Sequence, residues 1–272
     1  MIPAAFEYVR AGSVQEAIAA LGSHEDAKLL AGGHSLLPAM RLRVARPATL
    51  VDIGRLSDLS YVREDGDHIA IGALTRHHDV ATSEALRQLA PILPYAAEQI
   101  GDPQVRHMGT IGGSVAHGDP AGDMSSVLLA LDAELVAVGP DGSRTIPVGA
   151  FFTSLFETAL APNEVLTEIR VPKTTGGWSY LKFTRRAMDW AMVGVSAVQA
   201  NGGAHVALTN MGMTPMRAAG VEEALAGGAD PASAAARAAE GTAPPSDAFG
   251  SAEYRKELSK VLVRRALEEA LG

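Results

Sequence analysis

A chain of 272 residues can hold one large domain, or two to three small subdomains, around a sizeable core. Its composition, 47% hydrophobic and 20% charged, is that of neither a disordered nor a membrane protein, and MIPAAFEYVR lacks the pattern of a signal peptide. The net charge of −8 argues against a nucleic-acid-binding face, and the absence of cysteine excludes disulfides, a thiol nucleophile, Cys-ligated zinc and any iron–sulfur cluster on this chain, so electron chemistry would need an organic cofactor.

Ser13 followed by VQEAIAALG predicts a helix, with Ser13 as N-cap and Glu16 closing a capping box. AKLLAG (27–32) reads as a strand, LLPAMRLR (36–43) as a helix and TLVDIG (49–54) as a returning strand, together a small βαβ-like unit. YVRED and HIAIGAL flank Gly66-Asp67 and predict a hairpin. Helical segments interrupted by Pro91 and Pro94 run to Ile100. MSSVLLALD predicts an apolar helix, AELVAVG and RTIPV a second hairpin around PDGS, and EVLTEIRVP (164–172) a further strand. KTTGG (173–177) marks a linker. Beyond it, WSYLKFTRR, AMVGVSAVQA and AHVALTNMG predict three antiparallel strands. The Ala-rich stretch 230–241 and SAEYRKELSKVLVRRALEEAL predict helices, with GTAPPSD a loop between them. The expected fold is α+β, in consecutive subdomains at 1–56, 57–173 and 178–272.

Two Gly-Gly turns raise the question of function: AGGHSLLPAM (31–40) and TIGGSVAHGD (110–119), each read between an apolar run and a helix-like run. Either alone serves as a tight turn. Such a turn also leaves successive N–H groups unpaired, with no β-carbon in the way, and a following helix N-terminus adds positive charge. Two of them from different subdomains could grip a pyrophosphate from opposite sides. Neither G-x-G-x-x-G after a strand nor G-x-x-x-x-G-K-[ST] occurs, so a Rossmann dehydrogenase or P-loop ATPase is not expected.

In HGDPAGD, His117, Asp119 and Asp123 fall short of a metal-ligand set and read as turn formers and N-caps, with Asp123 able to accept ribose or ribityl hydroxyls. HHD (77–79) reads as a strand-to-helix transition with Thr75 as N-cap, in preference to a proton-transfer pair. His34 and Ser35 have no G-x-S-x-G elbow around them, so nucleophilic hydrolysis is poorly supported. The basic groups Arg41/Arg43/Arg46, Lys182/Arg185/Arg186 and Arg264/Arg265 read as solvated helix faces or ends. No catalytic side chain and no metal ligand is assigned.

AGGHSLLPAMRLR…P…LVDI and DPQVRHMGTIGGSVAHGDPAGDM resemble the two FAD-binding signatures of the flavoprotein medium subunit of molybdenum hydroxylases. The pattern is most similar to the carbon monoxide dehydrogenase medium chain, and more distantly to the flavin domain of xanthine dehydrogenase. It runs from MIPAAFEY through NEVLTEIRVP, KFTRRAMDWA and LTNMGMTPMRA to AEYRKELSKVLVRRALEEA. The resemblance implies a vanillyl-alcohol-oxidase/PCMH-type fold, with two N-terminal α/β subdomains and a C-terminal subdomain built on a three-stranded antiparallel sheet with helices. It implies that the backbone of Ala31, Gly32, Gly33, His34 and Ser35 and that of Thr110, Ile111, Gly112, Gly113 and Ser114 hold the FAD pyrophosphate and nearby groups. It places Asp123 on the cofactor, Leu166 and Lys182 near the isoalloxazine and Ile100 on the adenosine side. Asp189-Trp190 stands where the carbon monoxide dehydrogenase pattern has Asp-Tyr, so Trp190 either shields the flavin face or packs the third subdomain.

The implied function is that of an FAD-binding electron-transfer subunit. It would take electrons from [2Fe–2S] clusters on a small partner subunit, downstream of molybdopterin on a large one, and pass them to an external acceptor. A dimer of heterotrimers and a cytoplasmic location, at most peripheral to the inner membrane, accompany this reading. A stand-alone FAD oxidoreductase of the same fold is the alternative.

Overall fold

The computed structural model describes residues 2–200 and 203–272; Met1, at the head of MIPAAFEY, lies outside them. β1 (Glu7–Arg10), α1 (Val14–Ser23), β2 (Ala27–Leu30), α2 (Leu36–Arg41) and β3 (Thr49–Asp52) form the first lobe. Its sheet runs β1-β3-β2, all parallel, so the anticipated βαβ unit gains an extra strand at its edge. Val51 and Ile53 meet Val14 and Ala17 of α1 in a small core. Ser13 caps α1 by accepting from Glu16 N–H at 3.1 Å. The capping box is modified: the Glu16 carboxylate reaches past Ser13 to the Gly12 N–H, at 2.7 Å.

The middle lobe contains β4 (Val62–Asp65), β5 (His68–Gly72), α3 (His77–Thr82), α4 (Glu84–Leu89), α5 (Ile92–Glu98), α6 (Pro103–Met108), α7 (Ile111–His117), α8 (Asp123–Ala130), β6 (Glu134–Gly139), β7 (Gly142–Pro147), β8 (Phe152–Ser154), β9 (Glu157–Thr158) and β10 (Val165–Pro172). Its main sheet is antiparallel in the order β4-β5-β10-β6-β7. Asp65 pairs with His68 across Gly66-Asp67, and the turn places Gly66 at φ +64°. Thr75 does not cap α3. Its hydroxyl instead donates to Tyr61 O at 2.9 Å and accepts from Tyr61 N–H, while Arg76 stands at the cap position. DPQVRHM, unassigned from sequence, is α6; Asp102 accepts from Val105 N–H at 2.9 Å and Pro103 opens the first turn.

The last lobe is β11 (Trp178–Phe183), β12 (Val193–Ala200), β13 (Gly203–Thr209), β14 (Met216–Arg217), α9 (Ala219–Ala226), α10 (Pro231–Ala235) and α11 (Ala252–Leu271). The three long strands are antiparallel and carry a two-residue fourth at the edge. The Ala-rich stretch is helical only over Pro231–Ala235, where Asp230 caps it by accepting from two N–H groups. Strand alternation gives this sheet two buried faces. Val193, Val195 and Ala197 join the core with α11, whereas Tyr180, Val198 and Ala207 join the large core of the middle lobe, next to α8. Among the described residues no helix is long and apolar enough to cross a membrane.

Candidate functional site

The first glycine turn follows β2 and leads into α2, in the strand–turn–helix context read from the sequence. Gly33 sits at φ +74°, a backbone position that L side chains strain to adopt. Among the described residues nothing accepts from the N–H groups of Gly32, Gly33, His34 or Ser35. His34 turns its imidazole back, Nδ1 lying 2.9 Å from Gly32 O, and Ser35 makes no side-chain cap. The four residues leading into α2 therefore carry N–H groups without an acceptor among the described residues, which is what an anion-binding turn requires.

The second glycine pair departs from expectation. It is not a loop after a strand: α6 precedes it, Thr110 is the N-cap, and Gly112 and Gly113 already belong to the first turn of α7. The N–H groups of Ile111, Gly112, Gly113 and Ser114 are taken. Ile111 N donates to Thr75 O at 3.0 Å, Gly112 N to Ala73 O at 2.9 Å and Ser114 N to Thr110 O at 3.0 Å. Gly113 N donates to Thr110 Oγ1 at 3.1 Å. These glycines serve close packing: a Cβ on Gly112 would lie 2.5 Å from Ala73 Cβ. In place of the two N–H jaws anticipated from sequence there is one turn with open N–H groups and one helix start packed beside it.

Three neighbouring elements continue from the open turn. A Cβ placed on Gly113 would be 3.8 Å from Ala31 Cβ, and one on Gly122 4.0 Å from Ser114 Oγ. Gly122 is the N-cap of α8, whose first residue is Asp123. Asp123 is buried at 4% exposure, yet both carboxylate oxygens have donors. Tyr180 OH donates to Oδ1 and Lys182 Nζ to Oδ2 at 2.9 Å, while the same ammonium donates to Gln99 O at 3.0 Å. Tyr180 and Lys182 reach one carboxylate because they are two apart on β11 and so share a face. Burial pushes the Asp123 carboxyl up, against the pull of Lys182 and the Tyr180 hydroxyl. Burial, then the carboxylate beside it, holds the Tyr180 phenol well above its ordinary value. Lys182 is thus no solvated surface lysine.

Lys182 also lines a polar cleft of about 260 Å³ together with Glu98, Gln99, Gly101, Thr184, Met188 and Asp189. Trp190, in the segment joining β11 to β12, is 59% exposed. Ile100 is half-buried, packed against the large core, and its carbonyl accepts from Arg106 at 2.9 Å. Leu166 is buried in β10 at a bulge beside Thr167, its side chain in the core. The sequence does not single out Tyr180 or Gln99. The W-x-Y-x-K alternation was the available signal for Tyr180, whereas a carbonyl such as that of Gln99 leaves no signal in residue type.

The open turn, α7 and the Asp123–Lys182 pair define an α+β protein that can hold an extended anionic cofactor. The family described as the FAD binding domain in molybdopterin dehydrogenase matches residues 4–174, and the CO dehydrogenase flavoprotein C-terminal domain matches residues 178–270. The carbon monoxide dehydrogenase medium chain of Hydrogenophaga pseudoflava is 43% identical over 282 residues, covering 99% of this chain and 98% of the relative. The glyceraldehyde dehydrogenase medium chain of Sulfolobus acidocaldarius is 39% identical, with 99% of each chain covered. A solved structure of the Hydrogenophaga pseudoflava carbon monoxide dehydrogenase, lacking the Mo-pyranopterin moiety of its molybdenum cofactor, matches 100% of this chain and 99% of its own with a TM-score of 0.95 at 43% identity. The chain belongs to the family of FAD-binding subunits of molybdenum hydroxylases, of the carbon monoxide dehydrogenase medium-chain type.

Proposed function

We propose that this chain holds FAD from the Gly32–Ser35 turn, past Ser114 and Gly122, to the Asp123–Lys182 pair. It then relays electrons from [2Fe–2S] clusters on a small partner subunit to an external acceptor. Substrate oxidation falls to a large partner subunit carrying the molybdenum cofactor, and the assembly is a dimer of heterotrimers in the cytoplasm. The observation that carries this reading is the run of four N–H groups with no acceptor among the described residues, together with a buried carboxylate whose two oxygens both have donors.

FAD supplies the redox chemistry when bound, and the protein supplies position and field. The Gly32–Ser35 N–H groups orient a diphosphate through backbone donors. Thr110, Ile111, Gly112, Gly113 and Ser114 shape the opposite wall, with the Ser114 hydroxyl facing Gly122. Asp123 retains lone pairs for cofactor hydroxyls, and Lys182, with two donors engaged, keeps a third. A buried ammonium beside the cleft favours negative charge on a cofactor held there. Leu166, Ile100 and Trp190 complete the proposed contacts on the flavin and adenosine sides.

The test is the flavin content of the purified full chain and of the complex obtained by co-expression with its small and large subunits. Stoichiometric FAD and a three-subunit complex are expected. A colourless chain that cannot be reconstituted with FAD would reject the reading.

A further inference from the structure

We propose that Tyr180 is a positioning residue for the cofactor: without touching FAD, it fixes the plane of the Asp123 carboxylate on which FAD binding depends. The inference rests on the function proposed above.

Tyr180 is fully buried, pairs in register with Ser196 of β12, and its hydroxyl has Asp123 Oδ1 as its partner. The terminal torsion of an aspartate is broad, so a single donor leaves the carboxylate free to turn about Cβ–Cγ. Lys182 on Oδ2 and Tyr180 on Oδ1 together fix both oxygens, and hence the directions of the lone pairs that remain. The phenol stays protonated in this buried setting and so can only donate to the carboxylate.

The docking of α8 does not depend on Tyr180. Ser126 Oγ accepts from Thr209 Oγ1 at 2.6 Å and lies 3.1 Å from Ser196 Oγ. Asn210 N donates to Pro120 O at 2.8 Å, and Arg217 Nη1 to Leu129 O at 3.2 Å. These bonds tie α8 and its leading turn to the last lobe. Removing one phenolic oxygen therefore leaves the lobes joined and confines the change to the carboxylate.

The experiment titrates the full chain with FAD, across a series of pH values, for wild type, Tyr180→Phe, Asp123→Asn and the double variant. Ser179→Ala serves as a control, because it removes a neighbouring bond from β11 to Glu269 Oε2 at 2.6 Å without involving Asp123. The charged group that meets Asp123 is Lys182, on β11 beside Tyr180, while Glu98 at the end of α5 and Asp189 line the cleft next to Lys182. Tyr180→Phe should lower the melt modestly, as the loss of one buried hydrogen bond does, while the dissociation constant for FAD rises severalfold because the carboxylate is no longer held in one plane. The acid limb of binding should move to higher pH, since the carboxylate has lost a donor that favours its charged form. On the Asp123→Asn background the same substitution should change affinity by less than about twofold, as coupling through one residue requires.

The positioning role is overturned if Tyr180→Phe matches wild type in affinity and acid limb, or if its penalty persists undiminished in Asp123→Asn. It is also overturned if Ser179→Ala moves the acid limb equally. A wild-type chain that takes up no FAD overturns the functional reading, and the positioning role with it.

Discussion

Gly32 and Met108 are packed backbone to backbone: a Cβ on Gly32 would stand 2.2 Å from the Met108 carbonyl oxygen and 2.8 Å from Gly109 Cα. The same carbonyl accepts from Arg76, so it cannot move aside without breaking a charge-assisted bond. This seam joins the open turn of the first lobe to the end of α6, immediately before the helix that forms the opposite wall. Glycine at position 32 is therefore required by a neighbouring strand of chain, independently of any ligand.

Gly32→Ala should destabilise the protein by about 1–3 kcal/mol, the usual cost of forced overpacking. Gly22 offers the opposite case: it lies in α1 with no atom within 4 Å of its Cβ direction. Gly22→Ala should stabilise by roughly 0.5–1 kcal/mol through helix propensity alone. Urea denaturation of both variants checks the pair. Equal stabilities would mean that the seam between the lobes carries no strain.

His77 gives the fold an acid limit. It is buried, its Nδ1 has no partner, and its Nε2 lies beside Gly109. Burial, then repulsion from Arg106, depresses its pKa to about 4, well under the ordinary 6.5. Because the folded state resists protonation, the full stabilisation is present above about pH 6.5. It should fall as pH drops from there to about 4 and level off below, with a total on the order of 3 kcal/mol. His77→Leu should flatten this part of the stability–pH curve. An unchanged slope in the variant would assign the acid limit to other groups.

Periodicity and caps exposed most of the fold in the sequence. The Gly66-Asp67 hairpin, the Ser13 cap and the W-x-Y-x-K strand are local, and local rules act within a few residues. β1 was not legible because EYVR is largely exposed and finds its place only by pairing with β3, more than forty residues away. The TIGGS motif misled for a related reason. Two glycines signal a loop unless tertiary contacts hold them in a helix, and here Thr110 caps that helix while Ala73 leaves no room for a side chain at Gly112. Lys182 was legible as a basic residue, but its burial depends on α8 lying across the sheet, which no local pattern in β11 specifies.

Breaking the Asp123–Lys182 pair from one side should be worse than removing both charges. Lys182→Met strands a carboxylate whose partners are otherwise a single phenol, and should cost about 3–5 kcal/mol. Lys182→Met with Asp123→Asn should recover much of that stability, because no uncompensated charge remains. Neither the single nor the double variant should retain FAD, since the first removes the ammonium proposed to meet it and the second changes the carboxylate as well. Thermal melts and flavin content measured together separate the two effects. A double variant as unstable as Lys182→Met would contradict the charge argument.

Trp190 bears on how far the cofactor site extends. Its 59% exposure fits poorly with a residue that merely packs the last lobe. Its neighbourhood is nonetheless pinned, with Asn210 Nδ2 donating to Ala191 O at 2.8 Å and Arg255 donating to Met192 O. Trp190 directly follows Asp189, which lines the cleft, so we propose that the exposed indole covers a planar ligand held there. The other tryptophan, Trp178, packs against Tyr95 at a centroid distance of 5.3 Å, so Trp178→Phe isolates the signal of Trp190. In that background, FAD should protect Trp190 from acrylamide quenching and reduce its emission by energy transfer to the flavin. Quenching that is identical with and without bound FAD would remove Trp190 from the site and leave the cleft floor, at Lys182, as its outer limit.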